Sequence, residues 1–227
     1  MKLVKQGHQI LSRISLGGIE ELQRIEIAGR TCYKSEDKIS PDGESAKRFV
    51  KMIIDNGHEA MLEHSSLSVK FICSRGVSHE IVRHRLFSFA QESTRYCNYS
   101  KGKFGGECTF IVPPDQEWSV NTAEYEYGDS EEFGFVDDDT RGLWYDALLI
   151  AEIDYMSLLR AGWTPQEARD VLPNALKTEI VVTGNYREWR HFFKLRCDEK
   201  AHPHIRLLAK DLLEDLRYRI PVVFDDL

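Results

Sequence analysis

The chain lacks most of the features that would classify it at once. It has no apolar run of about 18 residues, so no membrane span is expected. Its opening residues, MKLVKQGHQILSRISLGG, hold neither a long apolar core nor a small-residue cleavage site, which argues against a secretory signal. The five cysteines, Cys32, Cys73, Cys97, Cys108 and Cys197, are odd in number, widely spaced and never arranged as CxxC. That pattern excludes a disulfide framework and a cysteine-rich zinc site, and points to free thiols in a reducing, cytoplasmic setting. Neither G-x-G-x-x-G nor a Walker A lysine loop is present, so any nucleotide is held some other way. No excess of positive charge exists either: the net charge is −7, which does not suit a general nucleic-acid binder. There is no internal repeat and no low-complexity linker.

The 227 residues that remain to be explained are of ordinary globular composition, 42% hydrophobic and 30% charged. A chain of this length suits a single domain, here 1–227, burying roughly 70% of its unfolded surface. The charge is unevenly placed. Residues 115–139 carry ten Asp and Glu and no Lys or Arg, so the rest of the chain stands at +3. The acidic stretch reads as an exposed loop or insertion, and the mildly basic remainder fits a focused site for a small anion.

Periodicity predicts a helix over 19–33, with Ile19, Leu22, Ile25 and Cys32 near one face, and another over 45–55, with Phe49, Met52 and Ile53 inward and Asn56-Gly57 as its stop. Alternation predicts a strand through Leu67, Val69, Phe71 and Cys73. Ser78 reads as the cap of a helix from His79, with Val77 and Val82 as a staple and Glu80, Arg83 and His84 on one face. CTFIVPP (108–114) reads as a short strand stopped by prolines. The longest helix is expected over 141–160, with Trp144, Ala147, Leu148, Ala151, Tyr155 and Leu158 as its stripe. TPQE (164–167) is a capping box ahead of a helix ending before Pro173. TEIVV (178–182) is a buried strand, and Asn185 caps a helix through NYREWRHFFKLR. Pro203 opens a last helix with Ile205, Leu208, Leu212 and Leu216 inward, closed by Pro221. Helices and strands without strict alternation indicate an α+β fold, mixed helices with an antiparallel-type sheet.

The chemistry-bearing residues concentrate in VRHRLFSFAQESTRY (82–96). Neighbours on a helix point about 100° apart, so Arg83, His84 and Arg85 cannot all grip one phosphate from a regular helix. Arg95, beside Ser93, could offer a bidentate fork to phosphate. Arg169, Arg187 and Arg196 lie near apolar surface and must be paired or liganded wherever they are buried. Arg187 and His191 share a helical face, and Arg196 lies nearly opposite. Trp189, Phe192 and Phe193 read as core. Each arginine could equally serve an ion pair. His58, Glu59, Glu63 and His64 invite a metal reading, with His202 and His204 as further ligands, but the spacing is not HExxH and no metal is expected. Ser93 has no G-x-S-x-G elbow around it; Ser93 and Cys97 stay open as nucleophiles.

RHRLFSFAQESTR (83–95) fits R-H-R, seven residues, then S-x-R, and resembles the signature of the flavin-dependent thymidylate synthases. AGRTCY, GHEAMLEHSSLSVKF, ARDVLP and NYREWRHFFKLRCDEKAHPHIR extend the resemblance in the same order along most of the chain. It implies a homotetramer with active sites at subunit interfaces, a non-Rossmann flavin site holding FAD, and methylation of dUMP to dTMP with 5,10-methylenetetrahydrofolate as carbon donor and NADPH as reductant. By position, Ser66, Arg83, His84, Arg85, Gln91, Asn185, Arg187 and His191 match flavin contacts. Glu80, Arg83, Gln91, Glu92, Ser93, Thr94, Arg95, Arg169 and Arg196 match the dUMP pocket. Arg196 stands where the family has the arginine that favours ionisation of the uracil ring, and His64 where a histidine lies near flavin and folate. Glu80 replaces a usual Gln, Gln91 a usual Glu and His191 a common Asn. The competing readings are a non-catalytic nucleotide-binding or assembly protein of the same fold, and a hydrolase whose metal is held by His58, His64 and His202.

Overall fold

The computed structural model describes residues 1–114 and 139–227. The acidic stretch read as an insertion lies, except for the backbone of Asp139, outside the described residues. In chain order the elements are β1 (Lys2–Val4), β2 (Gly7–Ile10), α1 (Ile19–Tyr33), α2 (Glu44–Asp55), β3 (Ser66–Ser74), α3 (Arg75–Ile81), β4 (Ser88–Gln91), β5 (Thr109–Ile111), α4 (Asp139–Arg160), α5 (Pro165–Ala168), β6 (Lys177–Asn185), α6 (Tyr186–Arg196), α7 (Pro203–Arg219) and α8 (Pro221–Phe224). A 3-10 turn over Glu59–His64 precedes β3. No helix among the described residues is long and apolar enough to cross a membrane.

The residues group into two compact units. The first holds Met1–Gln6, Ile72–Ile81 and Ala90–Ile180; the second holds Gly7–Phe71, Val82–Phe89 and Val181–Leu227. β3, β4 and β6 contribute residues to both. The main sheet runs β2-β3-β6-β4. Ser68 meets Thr183 and the Arg75 amide donates to Leu176, so β3 and β6 are antiparallel. Glu92 pairs with Glu179 while Phe87 faces Gly184, so β4 and β6 are antiparallel too. A separate pair, β1 with β5, is parallel.

In the first unit, Leu3, Phe110, Leu148, Tyr155 and Leu176 form a buried cluster. The α4 stripe is correct at Leu148 and Tyr155, but Ala147 is exposed. Glu152 is buried among these groups, and its carboxylate accepts the Cys108 amide at 2.6 Å, so the acid is not left without a donor.

In the second unit, α1 and α2 pack closely because Gly29 leaves room for the Phe49 ring; a Cβ there would lie 2.3 Å from Phe49 Cζ. Phe49 is half-buried against that glycine. Met52, expected inward, is 47% exposed, since the face that packs carries Ser45, Ala46, Val50 and Ile53. The aromatic side of α6 is core as expected: Trp189, Phe192 and Phe193 are buried. Each contributes roughly 1.5–3 kcal/mol on burial. The Trp189 indole N–H donates to the Leu67 carbonyl at 3.1 Å, so its polar atom costs nothing by being enclosed. The other face of α6 is thereby left for polar side chains.

Helix α3 corrects the expectation around Ser78. The cap is Ser74, one turn earlier, whose hydroxyl accepts the Val77 amide at 3.2 Å. Ser78 lies inside the helix and donates back to the Arg75 carbonyl at 2.9 Å. Val77 is buried within α3 and Val82 lies beyond its end, so no staple forms. The helix stops at Ile81, and Arg83, His84 and Arg85 lie in the turns that follow rather than on a helical face.

Candidate functional site

In the second unit, leaving the helix frees the triplet to diverge. His84 turns inward and is 5% exposed; Arg83 and Arg85 are exposed and carry no ion pair among the described residues. α6 supplies the opposing groups. Its start is fixed by Asn185, whose side-chain carbonyl accepts the Glu188 amide at 2.9 Å. Arg83, His84, Arg85, Asn185, Arg187, Glu188, His191, Lys194 and Arg196 then line a cavity of about 860 Å³. Its five cations, Arg83, Arg85, Arg187, Lys194 and Arg196, outnumber its acids Glu59, Glu63 and Glu188. Glu63 accepts from Arg187 at 2.6 Å, and Glu59 from Lys194 at 3.3 Å. Arg196 sits about 140° around an ideal helix from His191. It still reaches this cavity, because its long stem lets Nε approach His84 Nε2 at 3.0 Å.

Burial, then the neighbouring Arg196 and His191, push the His84 pKa down to about 4, so the ring is neutral at pH 7. Burial raises the Glu188 pKa from its ordinary value, against an opposing pull from His191. Among the described residues, His84, Glu188 and His191 are the one group that brings three possible metal-ligating atoms within 4.8 Å of one another. His58, His64 and His202 form no such group, and His202 instead caps α7 by accepting the His204 amide at 3.3 Å. The His84 Nε2 lone pair is directed at Arg196, which a cation would have to displace. His64 is exposed at the end of the 3-10 turn and Ser66 is exposed at the start of β3.

The first unit holds the other expected residues. Gln91 donates its amide nitrogen to Ser78 Oγ at 2.9 Å and Thr178 Oγ1 at 3.2 Å. Glu92 accepts from Tyr99 at 3.1 Å and Lys177 at 3.3 Å. Thr94 is buried and accepts from Arg169 at 3.0 Å. The capping box Thr164–Glu167 forms as expected and sets α5, which leads directly into Arg169. The Ser93 hydroxyl accepts the Arg95 amide at 3.3 Å, and Arg95 is exposed with its guanidinium 5.5 Å from the Tyr96 ring centroid. Glu80 is half-buried on α3. Cys97, weighed as a nucleophile, is a half-buried free thiol.

Three partners escaped the sequence reading: Glu188, Lys177 and Tyr99. Glu188 is marked in the sequence only by its place in the helix that Asn185 caps, and nothing local marks Lys177 as the cation beside Glu92. Tyr99 is buried, and burial followed by the adjacent Glu92 pushes its hydroxyl pKa well up, which keeps it a donor.

Residues 19–222 match the family described as thymidylate synthase complementing protein. The chain belongs to that family. Its relatives include the flavin-dependent thymidylate synthase of Corynebacterium aurimucosum, 38% identical over 216 residues, covering 92% of this chain and 81% of the relative. The flavin-dependent thymidylate synthase of Mycobacterium tuberculosis is 38% identical over 207 residues, covering 89% of this chain and 78% of that one. Among solved structures, the UMP/dUMP methylase PolB from Streptomyces cacaoi, bound with 5-Br dUMP, superposes with a TM-score of 0.71 at 21% identity, covering 99% of this chain and 96% of that one. At that identity the likeness establishes the fold. Both the family and the fold agree with the thymidylate synthase resemblance of the RHR segment.

Proposed function

We propose that this chain is a flavin-dependent thymidylate synthase that methylates dUMP to dTMP, with FAD as the flavin, NADPH as its reductant and 5,10-methylenetetrahydrofolate as the carbon donor. The carrying observation is the cation-rich cavity around His84, built from the segments in which the chain resembles the family. Its lining fits a phosphate-bearing flavin: arginines offer donors to phosphate, while Asn185 and His191 can hydrogen-bond the polar edge of a ring. The buried Trp189, Phe192 and Phe193 are not available as a stacking platform. By their match to the family, Ser66, Arg83, His84, Arg85, Gln91, Asn185, Arg187 and His191 would hold the flavin, and His64 would serve near flavin and folate. The bound flavin supplies the two reducing equivalents that turn a methylene into a methyl group.

The nucleotide is assigned to Glu80, Arg83, Gln91, Glu92, Ser93, Thr94, Arg95, Arg169 and Arg196. Arg95 and Arg169 suit a phosphate, Arg169 being steadied by Thr94. Arg196 would stand beside the pyrimidine carbonyl and stabilise the negative charge that develops there. Gln91 differs from the family's usual Glu, yet both amide protons are committed to Ser78 and Thr178. What it has left to offer is a carbonyl oxygen, an acceptor as a carboxylate is. The match over 19–222 runs through both compact units, which supports one domain. We further propose a homotetramer with sites at subunit interfaces, and a cytoplasmic setting that suits five free thiols.

The test is dTMP formation by purified protein supplied with FAD, NADPH, methylenetetrahydrofolate and dUMP, each omitted in turn, with light scattering for the assembly state. Product that requires all four supports the reading. Tight dUMP binding without dTMP under complete conditions would favour a non-catalytic nucleotide-binding protein instead.

A further inference from the structure

We infer that Glu188 is a positioning residue: it accepts the Nδ1 proton of His84 and so fixes the imidazole tautomer whose Nε2 lone pair holds the Nε–H of Arg196. The inference rests on the proposed role of Arg196. A guanidinium only donates hydrogen bonds. At 3.0 Å from Arg196 Nε, the His84 Nε2 must therefore be the acceptor. In a neutral ring the proton is then on Nδ1. The atom placed to receive it is Glu188 Oε1, 3.5 Å away.

The surroundings favour this one arrangement. The side chains of His84 and Glu188 are 3% and 6% exposed, so water does not offer either nitrogen an easy substitute. Phe87 and Phe192 wall the ring, with centroids 6.0 and 5.0 Å from it, and restrict its rotation. The titratable and charged groups about it are Arg196, His191 and Glu188; the first two, with burial, keep the ring uncharged at neutral pH. Glu188 is itself held from behind, because its backbone amide is bonded to the Asn185 cap. Two of the three groups whose proximity would suggest a metal, His84 and Glu188, are on this inference members of a carboxylate–imidazole–guanidinium chain. With the proton on Nε2, N–H would face N–H, and the bond between Arg196 and His84 would be lost.

The experiment is NMR of protein labelled with ¹⁵N at the histidine rings, with the His84 signals assigned by their loss in His84→Gln. Wild-type protein should show a protonated Nδ1 and a bare Nε2 at pH 7. In Glu188→Leu the two forms should mix, and kcat for dTMP formation should fall about 10- to 100-fold with little change in the KM for dUMP. Glu188→Gln, whose side-chain oxygen still accepts, should keep the wild-type ring pattern and most of the rate. A wild-type ring protonated at Nε2 overturns the inference even if the leucine variant fails to fold. So does a folded Glu188→Leu with an unchanged ring pattern, or a Glu188→Gln as impaired as the leucine variant. Wild-type protein with the expected tautomer but no dTMP formation would instead count against the proposed function alone.

Discussion

Gly184 is a position where one added methyl group should be felt at the proposed site. It lies on β6 against the ring of Phe87, three residues after His84. A Cβ there would stand 2.1 Å from Phe87 Cδ1 and 2.3 Å from Cε1. Carbons rest at roughly 3.5–4 Å, so the ring must retreat by more than about 1 Å. It has little room to do so. Phe87 is 5% exposed, and its centroid is 4.6 Å from Trp189, 6.1 Å from Phe192 and 6.0 Å from His84. Overpacking of this kind costs about 1–3 kcal/mol. For a chain of this size that is a fall in unfolding temperature of roughly 3–10 °C in Gly184→Ala. Phe87→Ala alone opens a cavity, at about 3–5 kcal/mol. In the double variant the new methyl enters the vacated space, so the two losses should sum to less than their separate values. Thermal and urea unfolding of the four proteins measure this. A Gly184→Ala protein as stable as wild type, or strict additivity in the double variant, would refute the reasoning.

Other substitutions follow from the same contacts. Arg190 is 1% exposed, donates to both Asp226 oxygens at 2.6 Å, reaches the Val223 carbonyl and pairs with Glu59, so it ties the C-terminal segment to the turn before β3. Arg190→Met should cost about 2–4 kcal/mol, somewhat below a fully buried pair because Asp226 is partly exposed; an unchanged urea midpoint would contradict this. Gln91→Glu should destabilise by about 1–3 kcal/mol, because the Ser78 hydroxyl proton is already given to Arg75 and a carboxylate would face its lone pairs; equal stability would show that the Gln91 donors are not needed. The His84 pKa is about 4 folded against 6.5 unfolded, so between those values the unfolded chain binds more protons and stability falls as pH drops. The His84 contribution is at most about 3 kcal/mol, and is flat above pH 6.5. Urea midpoints from pH 4 to 7 should fall less steeply in His84→Gln, and parallel curves would remove His84 as the cause.

Much of this architecture was readable because its signals are local. The Asn185 cap, the Thr164–Glu167 box and the stripe Ile205, Leu208, Leu212 and Leu216 each occupy a few turns of one element, and each forms as read. Ser78 misled because two serines one turn apart both precede apolar residues. The strand continues to Ser74, and α3 then accommodates Gly76 in its first turn. β4 is four residues long and follows turns, too short for its alternation to register. The arginines and histidines of the site were legible as residue types in a resembling order, but their partners were not. Glu188 and His84 are 104 residues apart in number, as are no two groups that a helical or strand period can relate. Lys177 meets Glu92 only because β6 and the end of β4 are neighbours in the sheet.

The most direct test of the central claim follows the flavin itself. Protein loaded with FAD is reduced anaerobically, and dUMP with methylenetetrahydrofolate is then added while the flavin absorbance and dTMP are monitored. The account predicts reoxidation without oxygen, with one dTMP formed per flavin reoxidised, and neither change when dUMP is omitted. A flavin that stays reduced in the complete mixture, or that reoxidises without forming dTMP, would contradict it.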